Sequence, residues 1–359
     1  MNIISTCKMG PGTFEAKFVP LSMVNCVDTI FVLREKAGPE IEKVQYIVLP
    51  KFVSKVRILK ILVPFYLAYY TKKFNCSYII GYHFVPHAIF AYLASIITNV
   101  PFIYAQTGLD IQHQATKTLF KSIVKVVLKK ASYINVPGNF SKSYWKEFGI
   151  NPEKINILHS TIDTDYWVSD PNGVRIYDFI FLGRLDPVKR IDMIIQGFKL
   201  LINNTKELSR PTLIIVGSGP DEPMLKKLVS DIGLSEYVKF TGFVSEPIFY
   251  LQQSRFLIMS SFTEGLPTAM MQAMSCEVVP ITNLVGNISD IITNNITGLV
   301  HEGRNLKDVC QLMGYALDLD EKVETSLRVS ARELVVREHA YKQIPKKWER
   351  VFNSNPSFN

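Results

Sequence analysis

One carboxylate, Glu264, falls between two short apolar runs, residues 256–259 before it and 278–280 after it, that read as buried strands. The stretch between them reads S-F-T-E-G-L-P-T-A-M-M-Q-A-M-S-C-E-V-V-P from Ser261 to Pro280. Pro267 sits where the first turn of a helix tolerates proline, and residues 268–275 are good helix formers. Glu264, Gly265 and Leu266 are therefore expected in a strand-to-helix turn. In an open parallel α/β sheet such a turn lies at the carboxyl edge of the strands, where ligands bind. Free backbone N–H groups at a helix start attract anions, and a carboxylate beside them can accept hydrogen bonds from sugar hydroxyls.

The segment resembles the E-G-x-P-x-x-x-x-E-A-M-A-C-G signature of family four of the retaining glycosyltransferases, which have the GT-B fold. Two positions depart from it: the second glutamate is Gln272, and the glycine after the cysteine is Glu277. The resemblance implies that Glu264 contacts the donor sugar, that Gln272 holds the ribose, and that Gly265, Leu266, Pro267 and Thr268 lie against the donor. Glutamine can still bond a ribose diol, but without the charge assistance that roughly doubles such a bond. Upstream, the run from Gly183 to Arg190, G-R-L-D-P-V-K-R, resembles the family's G-R-L-x-x-x-K-G, in which arginine and lysine grip the donor diphosphate. Those roles fall to Arg184 and Lys189, with Arg190 in the place of the glycine. The residue types suit the task. Arginine matches the forked geometry of phosphate and lysine acts as a point charge, and both stabilise a leaving group that gains charge as its bond breaks.

Strands expected at residues 178–182, 212–216 and 238–240 position the remaining motifs. Gly217-Ser-Gly219-Pro is similar to the family's V-G-x-G-P turn beside the nucleotide, and Phe243 and Val244 follow the strand whose loop reads the base. Nearer the N-terminus, strands are expected at residues 2–6, 29–33, 46–49, 78–82, 101–105 and 133–136. The loop after the first contains Gly10 and Gly12, which the resemblance brings toward the donor's phosphates and sugar. The turn Gln106-Thr-Gly-Leu-Asp110 resembles the family's H-G-x-D. It makes Asp110 an acceptor-side candidate and leaves Thr107 where the histidine would be. Residues 51–73 read as helical. Asp163-Thr-Asp165 has the D-x-D form of a metal site, but its place at the domain junction argues against one, and no metal is expected.

The chain has 359 residues, 47% hydrophobic and 20% charged, which favours two soluble globular domains. Its five cysteines include no C-x-x-C pair, so neither a disulfide frame nor a zinc knuckle is indicated, and a reduced, cytoplasmic setting is expected. The opening residues do not read as a signal peptide, and the apolar stretch from Ile58 to Tyr70 is broken by Lys60 and Pro64 and too short to span a bilayer. Residues 1–160 carry 19 Lys and Arg against 8 Asp and Glu, while the rest carry 21 against 24. A basic first half points to an anionic partner. Lys117, Lys121, Lys125 and Lys129 recur every four residues and share one helix face, which suits either a solvated surface or anionic lipid headgroups. No basic ribbon interleaved with aromatics suggests nucleic acid.

The expected architecture is α/β and GT-B: two Rossmann-like domains whose parallel sheets face an interdomain cleft. Residues 1–165 form the acceptor side and 166–335 the nucleotide-sugar side, with a C-terminal helix, 336–359, returning to the first domain. The expected activity is metal-independent, retaining transfer from a UDP- or GDP-sugar to a hydroxyl of a glycan or lipid-linked acceptor, without a cofactor, at the inner face of the membrane in surface polysaccharide or glycolipid assembly. Gln272 and Thr107 keep open a partner subunit that binds without turnover, and a sugar-nucleotide epimerase or hydrolase shares the fold.

Overall fold

The computed structural model of the chain describes all residues except 109–117, 206–209, 302–304 and 354–359, together with every side chain in the described elements other than those of residues 54, 57, 118 and 119. It divides into two compact units, one of Met1–Thr161 with Tyr341–Asn359 and one of Ile162–Ala340.

The first unit is a seven-stranded, all-parallel sheet. Its strands are β1 (Asn2–Thr6), β2 (Thr29–Arg34), β3 (Val44–Val48), β4 (Cys76–Tyr82), β5 (Phe102–Ala105), β6 (Tyr133–Val136) and β7 (Ile155–Ile157). Their spatial order is β3-β2-β1-β4-β5-β6-β7. Alternate residues feed opposite faces: Ile4, Ile79 and Phe102 join one core, Ile3, Ile80 and Ile103 the other. A strand buried on both faces must be apolar throughout, which is why these strands read as continuous apolar runs. The second core is closed by the helix Pro345–Asn353, whose Trp348, Val351 and Phe352 are buried, with the Tyr78 hydroxyl donating to the Phe352 carbonyl at 3.3 Å.

The segment expected to be helical over 51–73 is broken into three pieces, Lys51–Lys55, a 3-10 turn Arg57–Leu62, and Val63–Lys73. Pro64 explains the last break. It lacks an N–H and would destabilise a helix interior by about 3 kcal/mol, but it is tolerated in the first turn, where it lies here.

The second unit has a six-stranded parallel sheet of β8 (Tyr177–Leu182), β9 (Leu213–Val216), β10 (Val238–Gly242), β11 (Ser254–Ile258), β12 (Val279–Asn283) and β13 (Leu299–His301), in the order β10-β9-β8-β11-β12-β13. Both sheets thus have the doubly wound order of a dinucleotide-binding fold, reversing direction between β1 and β4 and between β8 and β11. Residue 335, the expected end of this domain, lies inside the helix Glu321–His339, where Val335 is buried in the unit's own core. The division falls instead at Ala340, and at the other junction at Thr161, four residues before the expected 165.

Candidate functional site

In a doubly wound sheet the crevice opens where the strand order reverses, so the loops after β8 and β11 are the pair that can enclose a ligand. Those two loops carry the cations and the carboxylate. After β8, Leu185 is fully buried and anchors the loop, and a 3-10 turn, Pro187–Lys189, presents Lys189. After β11 the chain runs through Ser261 and Phe262 to Glu264. The Phe262 N–H donates to the Val188 carbonyl at 2.9 Å, tying the loops together. Lys189 Nζ then meets Glu264 Oε1 at 2.6 Å, with Lys189 22% and Glu264 8% exposed. The Ser261 hydroxyl donates to the same oxygen at 2.6 Å, so Oε2 has no hydrogen-bond partner among the described residues. The Ser261 carbonyl is held in turn by the Asn283 side-chain amide from the end of β12, at 3.0 Å.

Arg184, on the same loop as Lys189, is 71% exposed and only loosely paired, its Nε 3.6 Å from Asp186 Oδ2. Arg190 lies over the Phe262 ring at 4.5 Å and takes a left-handed conformation, φ +52°, at the start of the helix Ile191–Asn204. Positive φ favours glycine, which accounts for the glycine the motif usually has there. The other replaced glycine, Glu277, is likewise left-handed at φ +58°.

Gly217 and Gly219 are needed by the loops themselves. A Cβ on Gly217 would lie 1.9 Å from the Gly183 carbonyl oxygen, and one on Gly219 2.1 Å from that of Leu185. This close approach is fixed by hydrogen bonds from the Gly183 N–H to Val216 and from the Leu185 N–H to Ser218, both 3.0 Å. The Gly217 N–H donates to the Gly242 carbonyl at 2.9 Å, which draws in the loop bearing Phe243 and Val244; Phe243 is 79% exposed. Gly265 and Thr268 are half-buried, whereas Leu266 and Pro267 are buried and could meet a ligand only through backbone. Thr268 and Gln272 are one turn apart on the helix Thr268–Ser275 and share a face.

The remaining expected residues belong to the first unit. Gly10 caps the helix Pro11–Ser22 and lines a cavity of about 560 Å³ at the carboxyl ends of β1, β2 and β4. Gly12 is exposed in that helix's first turn, and a Cβ on either glycine would touch nothing. The cavity walls combine Leu33, Val53, Val63 and Phe90 with Lys8, Arg34 and Lys60. Lys60 is paired with Glu35 at 2.7 Å. His87 Nδ1 is 2.9 Å from the Thr6 hydroxyl, and burial pushes its pKa down to about 3, so it is neutral. Asp110 and Lys117 lie outside the described residues; Lys121, Lys125 and Lys129 are exposed on the helix Thr118–Lys130. Asp163 uses Oδ1 to accept from the Asp165 and Tyr166 N–H groups, capping a turn. Ser261, Asn283, Lys8, Arg34, Lys60 and His87 carried no recognisable signal in the sequence except adjacency: Ser261 opens the Glu264 stretch, and the others end strands or fall in their loops.

Two Rossmann-like units with all-parallel sheets, the second bringing a cation and a carboxylate together where its strand order reverses, are the two halves of a GT-B fold. Residues 174–333 match the sequence model of the family Glycosyl transferases group 1. It is 22% identical over 286 residues to the N-acetyl-alpha-D-glucosaminyl L-malate synthase of Bacillus anthracis, a match covering 75% of this chain and 72% of that one. It is 27% identical over 213 residues to a Campylobacter jejuni GalNAc-alpha-(1->4)-GalNAc-alpha-(1->3)-diNAcBac-PP-undecaprenol alpha-1,4-N-acetyl-D-galactosaminyltransferase, covering 56% of this chain and 58% of that one. Among solved structures, Anabaena HepE in complex with UDP and glucose superposes with a TM-score of 0.81 over 99% of this chain and 100% of that one, at 16% identity, a likeness of fold.

Proposed function

We propose that the protein transfers a sugar from a nucleoside-diphosphate donor to an acceptor hydroxyl with retention of configuration. The observation that carries this reading is the Lys189–Glu264 pair at 2.6 Å where the strand order reverses, with Arg184 exposed on the same loop. In this reading the donor diphosphate draws Lys189 and Arg184 to itself, and Glu264 accepts hydrogen bonds from the sugar. The bond from the anomeric carbon to the diphosphate oxygen breaks, and the acceptor oxygen bonds to that carbon on the same face. The acceptor's proton passes to the departing phosphate oxygen. Two side-chain cations supply the charge neutralisation at the leaving group, so turnover requires no bound metal ion and survives EDTA.

A lipid-linked or surface-glycan acceptor fits the basic first unit and the mixed apolar and cationic cavity within it. The PP-undecaprenol acceptor in the Campylobacter relative's name supports that class, and in this reading the work lies at the cytoplasmic face of a membrane. Among the described residues no helix is long and apolar enough to cross one. The test is a thermal-shift panel of UDP, GDP, ADP and TDP. The true base at a hundredfold its Kd should stabilise the protein by about 2.7 kcal/mol, and Arg184→Ala should abolish most turnover with that donor. No shift with any of the four, or wild-type turnover in Arg184→Ala, rejects the reading.

A further inference from the structure

The segment 51–73 contributes Val53, Lys60 and Val63 to the cavity of the first unit. Its outer side chains are unusual for a protein surface. Phe52, Ile58, Ile61, Phe65 and Tyr69 are each more than half exposed, Ile58 at 77%. The neighbouring helix Ile89–Thr98 has no charged residue and exposes Ile96 and Ile97 to a similar degree. Phe65, Tyr69 and Ile97 meet in a shallow groove that Lys72 and Lys73 border. Scattered apolar residues on a surface need no explanation, but a contiguous set marks something it contacts.

Charge identifies the partner. Between Glu42 and Asp110 the chain contains seven Lys and Arg and no Asp or Glu. Two copies of such a face would repel one another, which counts against self-association. A nucleic acid would account for the cations but not for the exposed aliphatic Ile58, Ile61, Ile96 and Ile97 among them, since bases are bound by stacking on aromatic rings. Apolar side chains set among cations match an anionic bilayer, where the former enter the acyl boundary and lysine stems let their ammonium groups reach the phosphates.

We propose that Phe52, Ile58, Ile61, Phe65 and Tyr69, with Lys51, Lys55, Lys72 and Lys73, form a bilayer-docking face that seats the protein on anionic lipid. Because the same segment walls the cavity, docking brings that cavity to the lipid surface, where an amphiphilic acceptor would enter. This last step rests on the transferase reading; the docking itself does not.

The experiment is flotation of the full-length protein with vesicles of phosphatidylglycerol and phosphatidylcholine, without donor or acceptor. Wild type should float at 30% phosphatidylglycerol and remain in solution with phosphatidylcholine alone. Ile61→Glu/Phe65→Glu should lower the bound fraction by about tenfold or more, while its Tm and its response to nucleotide stay those of wild type. Should that pair misfold, Ile58→Ser and a Lys51→Gln/Lys55→Gln/Lys72→Gln variant each test the same face. Failure of wild type to float at any anionic fraction overturns the proposal, as does wild-type flotation of these variants. So does loss of flotation in Lys121→Gln/Lys125→Gln/Lys129→Gln with the apolar variants unaffected, or a dimer by light scattering that Ile61→Glu/Phe65→Glu dissociates. Glycosyl transfer to a soluble acceptor is read separately, so each proposal can fail without the other.

Discussion

Replacing Lys189 with methionine keeps the length of the side chain and removes its charge. Glu264, 8% exposed, then faces the folded interior without its cation. Breaking a fully buried pair by removing one partner costs 3–5 kcal/mol, whereas exposed pairs are worth about 0–1 kcal/mol. Lys189 is 22% exposed and the Ser261 hydroxyl still donates to Glu264, so the expected loss is about 2 kcal/mol. For a unit of this size that corresponds to a fall in Tm of about 4–8 °C. Arg184→Ala is the contrast. Its guanidinium is 71% exposed and 3.6 Å from its only carboxylate partner among the described residues, so stability should change by less than about 0.5 kcal/mol.

On the proposed transferase reading both variants should nevertheless lose about 10²–10³ in kcat/KM, because each would remove a cation aimed at charge that develops on the leaving group. The double variant Lys189→Met/Glu264→Gln separates the two effects. A neutral amide needs no cation, so stability should return to within about 1 kcal/mol of wild type while turnover stays lost. Scanning calorimetry and a phosphatase-coupled assay of released nucleoside diphosphate measure the two quantities. A wild-type Tm in Lys189→Met would show that the pair contributes nothing to the fold. A kcat/KM within threefold of wild type in either single variant would show that these cations do not serve the leaving group.

Gly219→Ala should destabilise the second unit severely, because its Cβ would sit 2.1 Å from a backbone oxygen that no rotamer change can move; soluble yield and Tm equal to wild type would contradict this. Glu277→Gly should raise stability by about 1 kcal/mol, since φ +58° is strained for glutamate and free for glycine, and an unchanged or lower Tm would count against it. Lys17 is buried on the helix Pro11–Ser22, where desolvation lowers its pKa from 10.5 to about 8 while its Nζ donates to Ser160. Between pH 8 and 10.5 the unfolded chain holds a proton that the folded one has shed, so the penalty of burying the charge, complete below pH 8, disappears as pH rises. Lys17→Met should therefore exceed wild type in Tm at pH 7.5 and converge on it by pH 10; a constant difference would refute the shift.

The strands were legible in the sequence for a physical reason: a parallel strand covered on both faces has no polar side to hide it, so Phe179 to Phe181 or Ile214 to Val216 reads as an unbroken apolar run. Segment 51–73 misread for a related cause. Its apolar residues keep helical spacing across Pro64, but the missing N–H forces a new start that spacing alone cannot register. The Lys60 that this break delivers to the cavity had no motif to announce it, and its partner Glu35 is 25 residues away. Nor could sequence pair Lys189 with Glu264 across 75 residues without knowing that β8 and β11 are neighbours.

The two replaced glycines show what a motif records. At Arg190 and Glu277 the backbone is left-handed, the conformation that makes glycine the usual choice, and each charged residue tolerates it. Arg190 has a compensation that glycine could not offer, its guanidinium lying 4.5 Å above the Phe262 ring on the loop that leads to Glu264. Glycine at 190 would relax the backbone yet free Phe262 from that contact, and the Phe262 N–H is what joins the two loops through Val188. The departure thus trades local strain for a further tether between the loop that carries the cations and the loop that carries the carboxylate. Glu277 follows the helix rather than the crevice and ties neither of these loops, which is why glycine is expected to stabilise the protein at 277 and to loosen the site at 190.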